Sequence, residues 1–112
     1  MTTSAAALLA VVLVGCASTE PNPLSATPHG EAAPADIADA CELANRRCSR
    51  CHSIDRVARA RITEPMQWQS YVHRMRLMPA SGIPPEEEHT IVRCLVFRSS
   101  GEMGLRRLEE AP

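Results

Sequence analysis

A chain of 112 residues with 12 basic and 13 acidic side chains, a net charge of −1 and 3% aromatic content has room for one small domain. The near-neutral balance gives no support for a nucleic-acid partner, and so few rings leave a small core short of filling. Every basic residue is arginine, and five cysteines accompany them.

The chain opens with its only long apolar run, "AAALLAVVLVG", Ala5 to Gly15. That length is short for a membrane span and right for the core of a signal peptide. The run ends in "LVGC", which resembles the lipobox of bacterial lipoproteins, where a small residue precedes a cysteine that is lipidated and becomes the mature N-terminus. This resemblance implies a signal peptide over residues 1–15 and a lipid anchor at Cys16, on the periplasmic side of a bacterial membrane. Ala17 after the anchor resembles the outer-membrane pattern. "MTTS" lacks Lys and Arg, so either translation starts further upstream or the free amino group supplies the positive charge. A plain secretory signal with an incidental cysteine is the alternative. Both readings export the chain, which excludes nucleic acid in practice and permits disulfides and covalent haem attachment.

Residues 16–35 carry four prolines and small side chains, a composition that predicts a tether. At roughly 3.1 Å per residue in polyproline-like form it would hold a domain some tens of Å from the bilayer. His29 within it reads as a solvated loop residue. The folded part is expected over 36–104, with 105–112 as a C-terminal tail. A domain of about 70 residues buries a marginal core and usually needs a staple.

Three helices are predicted. The first starts at a capping Asp36, places Ile37, Ala40, Cys41 and Ala44 on one face and runs into Cys48. The second begins near Thr63, tolerates Pro65 in its first turn, sets Trp68, Val72 and Met75 on one stripe and stops before Pro79. The third begins at "PPEEE", continues through Ile91, Val92, Leu95 and Val96, and fades at "SSG". No period-two strand competes, so the chain reads as all-α.

Between the first two helices stands "CSRCH", Cys48 to His52. Zinc normally needs a second close ligand pair, which Cys41 and Cys94 do not form. Thiol exchange of the thioredoxin kind needs a strand and a βαβ setting. Cys-x-x-Cys-His is also the attachment signature of c-type haem, in which the two thiols add to vinyl groups and the histidine ligates the iron. The residues favour haem, with zinc and thiol exchange as the competing readings.

With "CSRCH", then "WQSYVHRM", then "RLMPASGIPPEEEHTIVRCLVFR" in this order, residues from about Asp36 to Arg98 resemble a small class I cytochrome c. The resemblance implies a cytochrome c fold, three main helices around one covalently attached haem c held by Cys48, Cys51 and His52. It implies Met78, in a loop just ahead of the last helix, as the sixth ligand, with Met75 the rival and more simply read as core. His73 and His89 would give bis-histidine ligation but read as solvated, and Met66 and Met103 lie near helix ends. It further implies a haem-propionate bond from Trp68, which the residue's size alone would explain as core filling. In the family the first and last helices cross near their middles, which implies a Cys41–Cys94 disulfide; two small packing residues are the alternative.

His/Met ligation leaves no open iron position, so the implied function is single-electron transfer by a monomeric carrier rather than enzymatic catalysis. A pentacoordinate or bis-histidine iron, with gas sensing or peroxidase activity, is the alternative. Redox proteins are the implied partners, together with the membrane that the lipid enters. Six arginines between Arg46 and Arg61, with only Asp55 opposing them, suit an acidic docking partner, or are a merely solvated face.

Overall fold

The computed structural model describes residues 20–112. The predicted signal peptide and Cys16 lie outside the described residues. Four helices follow in order: α1 (Ala35–Cys48), α2 (Asp55–Ala58), α3 (Pro65–Leu77) and α4 (Pro85–Glu110). Among the described residues there is no strand, only an isolated bridge between Ala26 and Ala32, so the all-α expectation holds.

Helix α1 buries Ile37, Ala40, Cys41 and Ala44, the row its 3.6-residue periodicity dictates. Its cap is Pro34, whose carbonyl accepts from Ala38 N–H at 2.8 Å. Asp36 is thus a first-turn residue and not the expected cap. Its carboxylate sits at the positive end of the helix dipole and accepts from Arg93 of α4 at 3.0 Å. Helix α3 starts with Pro65 at its first position, where a missing N–H costs nothing. It ends at Leu77 because Met78, preceding Pro79, is pushed to extended backbone (φ −67, ψ 139).

Helix α4 packs against both α1 and α3 and supplies the largest single share of the core, including Ile91, Val92, Leu95, Val96 and Phe97. At its crossing with α1, the sulfurs of Cys41 and Cys94 stand at bonding distance, 2.09 Å, with Cα atoms 5.0 Å apart. Both residues are wholly buried.

Two boundaries differ from the sequence reading. The helix does not fade at "SSG": Gly101 breaks it at φ 59, ψ −157, a conformation only glycine adopts readily, and it resumes to Glu110. A side chain at 101 would also meet Glu31 Oε2 at 2.8 Å. Beyond the break Leu105 and Leu108 are buried, so residues 105–110 are the end of a packed helix, and only Ala111 and Pro112 lie beyond it. The described part of the expected tether is likewise docked. Leu24 is wholly buried in the core, Asn22 donates to Cys41 O at 2.9 Å, and Arg98 donates to Pro23 O at 3.1 Å. One apolar side chain among prolines has no periodicity to betray it, which is why composition suggested a free spacer.

Candidate cofactor site

Helix α1 ends at Cys48, and the turn that follows carries Cys51 and His52 into α2. A cavity of about 310 Å³ opens beside them. Cys48, Cys51 and His52 line it from this side, Tyr71, Val72 and Met75 from α3, Met78, Ser81 and Ile83 from the loop between α3 and α4, and Ile91 and Leu95 from α4. A larger groove of about 440 Å³ lies elsewhere, open to solvent and lined by polar groups such as Gln69, His73, Glu88 and His89. It holds none of the motif. The smaller cavity is the one that combines reactive side chains with an apolar lining.

Within it the chemistry of each donor is fixed by its surroundings. Burial pushes the Cys48 thiol up to about 11, the opposite of the lowered value an exchanging thiol needs. Cys51 is exposed, and neither thiol is bonded to another cysteine. His52 places Nδ1 3.1 Å from the Ser53 carbonyl. A carbonyl only accepts, so this bond requires the proton on Nδ1 and leaves Nε2 with a lone pair for a metal.

The loop after α3 is closed locally. Ser81 N–H donates to Met78 O at 3.1 Å across a turn whose third residue, Ala80, has φ 59. Ser81 Oγ donates to Arg76 O at 2.8 Å. Met78 itself is 58% exposed on the cavity rim. Met75 also reaches the cavity but packs against the core cluster, as its place on the Trp68 and Val72 stripe predicts. At Gly82 (φ 64) an added Cβ would collide with the Arg50 guanidinium, so the arginine between the two motif cysteines rests directly on this loop.

Two carboxylates in the first turn of α4 grip the neighbouring helices. Glu87 receives both Nε and Nη2 of Arg47, at 2.7 and 2.8 Å, and this hydrogen-bonded pairing holds its carboxyl below the ordinary value. Burial pushes the Glu88 carboxyl up, but hydrogen bonds from Arg76 and His73 outweigh it and hold it below the ordinary value. The sequence showed these glutamates only as good first-turn residues; their partners lie 40 and 12 positions away.

Trp68 fills the core: its indole N–H donates to Ser99 Oγ at 3.0 Å, the side chain is 1% exposed, and it is not among the residues lining the cavity. His73 and His89 are exposed and lie on the open groove, away from the motif.

The donor set fits a flat, apolar, iron-bearing macrocycle: two unbonded thiols, an imidazole with Nε2 available, a thioether, and aliphatic walls. It fits zinc poorly, for among the described residues no group of three or more His, Cys, Asp or Glu side chains is arranged to hold a metal ion by itself. A family model described as photosystem P840 reaction-centre cytochrome c-551 matches residues 11–98, more than three quarters of the chain. Among curated proteins and among solved structures no match was found.

Proposed function

The chain belongs to this cytochrome c-551 family, a haem c-binding electron carrier with redox-protein partners, and on that premise we propose a class I carrier with His52 and Met78 as axial ligands and Cys48 and Cys51 as the covalent attachment points. The observation that carries this reading is the convergence of all four residues on one apolar cavity. When bound, the haem supplies a reversible one-electron couple. The chain's own residues do the rest. Ser53 orients the His52 ring, Val72, Ile83, Ile91 and Leu95 exclude water, and the Met78–Ser81 turn presents a thioether that favours the reduced state. With both axial positions taken, oxygen and peroxide have no entry and the protein is not an enzyme.

Three further elements belong to the proposal. Cys16 carries the lipid, tethering the domain at the periplasmic face of a bacterial membrane. Cys41 and Cys94 are oxidised to a disulfide, as their separation supports. The acidic redox partner is steered by Arg46, Arg50, Arg56, Arg59 and Arg61, all exposed, whereas Arg47 is engaged by Glu87; association slowed by salt would support this, and an unchanged rate would remove it.

The deciding experiment compares absorbance spectra of the oxidised and reduced soluble domain in wild type and Met78→Ala. A low-spin spectrum with a far-red sulfur-to-iron band, abolished by the substitution, is expected. A high-spin wild type would mean an open iron and redirect attention to gas binding or peroxide turnover. A band that survives the substitution would transfer the role to Met75.

A further inference from the structure

The two ion pairs at the start of α4 attach to the two sides of the cofactor cavity. Arg47 is the residue before Cys48, and its guanidinium is held bidentately by Glu87. Arg76 lies two residues before Met78, and its guanidinium is held by Glu88. Neither pair is a loose surface contact: the side chains are 29% and 24% exposed in the first and 21% and 23% in the second. The contacts continue inward from Arg76. Its backbone carbonyl accepts Ser81 Oγ, and Ser81 N–H closes the turn on Met78 O. A line of direct bonds therefore runs Glu88–Arg76–Ser81–Met78. Its outer end belongs to the same helical turn that Glu87 fixes beside Cys48.

We propose that the first turn of α4 is a clamp that holds the Met78 loop in register with the Cys48–His52 segment, and that Glu88 is the positioning residue of the distal ligand. Glu88 is suited to the task because both its oxygens are engaged, one by Arg76 and the other by His73 Nδ1 at 3.0 Å, which fixes the carboxylate's direction. The loop needs such support. Ala80 sits in the left-handed region without the freedom of glycine, and Met78 is exposed rather than packed, so local burial does not hold the thioether in place. The inference rests on Met78 being the sixth ligand.

The test uses two readouts on the haem-loaded protein. The first is displacement of the thioether by imidazole, followed by loss of the far-red band. Releasing Arg76 lowers the fraction of molecules with the loop in its ligating position, and Glu88→Gln should bind imidazole about tenfold more tightly, the order expected when one charge-assisted bond is removed. The second is hydrogen exchange at the Ser81 amide, which should accelerate by a similar factor. Arg76→Gln should reproduce both effects, and the double variant should go no further than either single one. Glu64→Gln, which breaks the remote Arg107–Glu64 pair, should change neither. A lower melting temperature in Glu88→Gln with unchanged imidazole affinity and unchanged Ser81 exchange would make Glu88 a purely structural residue and overturn the proposal. A wild type lacking the far-red band would refute Met78 ligation, and the Ser81 exchange would then decide the clamp by itself.

Discussion

The proposed Cys41–Cys94 disulfide would close a loop of sequence separation 53 across the crossing of α1 and α4. In the chain-entropy model a link of that span restricts the unfolded chain by about 4 kcal/mol. For a domain of this size each kcal/mol moves the melting midpoint by roughly 4–8 °C, so opening the bond should lower it by roughly 15–30 °C. The perturbation is best made twice. Mild thiol reduction breaks the bond and keeps the sulfurs, whereas Cys41→Ala with Cys94→Ala also removes their packing at a fully buried crossing. The reduced wild type isolates the link, and the extra loss in the double variant reports the cavity. Differential scanning calorimetry with parallel thiol counting reads both. The thioether-bonded sulfurs do not react with thiol reductants, so two new thiols should appear. A midpoint that moves by less than about 5 °C while two new thiols are counted would refute the chain-entropy reasoning for this fold.

Two more outcomes follow from the geometry. Trp68→Phe should leave the haem spectrum and reduction potential unaltered while destabilising the domain by about 1–2 kcal/mol through the lost Ser99 bond and smaller ring, measured by denaturant unfolding; a shifted potential would support the propionate role. Glu87 and Glu88 have folded values below those of unfolded glutamate, so their pairs stabilise the protein fully above the unfolded value, near pH 4.3, and lose that contribution as pH falls through the folded values. The Glu88→Gln variant should therefore show a flatter decline of melting temperature below about pH 4 than wild type, and an identical decline would mean that Glu88 does not contribute to the acid limb.

The residues gathered at the cavity were legible wherever chemistry and order coincide. The motif "CSRCH" and a methionine just before Pro79 are local signals, and the helices around them announce themselves by period. Trp68 was legible only as a large residue whose size suits either role, because nothing in a sequence states which way an indole N–H points; here it donates to Ser99, 31 positions away. Gly101 reads as a stop signal by composition, yet the apolar pair Leu105 and Leu108 finds a surface only once the kink has turned the helix. Leu24 is the sharpest case. Its burial is decided by a depression between α1 and α4 that exists only after they cross. The Glu87 and Glu88 pairings were hidden for the same reason, since a helix-start preference explains both glutamates without any partner.

The docked segment around Leu24 would also set the geometry of electron delivery if Cys16 carries the proposed lipid. Six residues separate Cys16 from Asn22, a span of at most about 20 Å however they are arranged. A tether reaching to residue 35 would have extended to about 60 Å. A threefold shorter radius would confine the protein to a volume smaller by more than an order of magnitude and raise its effective concentration at the bilayer in proportion. A carrier moored in this way would serve partners embedded in or seated upon the same membrane, reaching them by lateral diffusion rather than by ranging across the compartment.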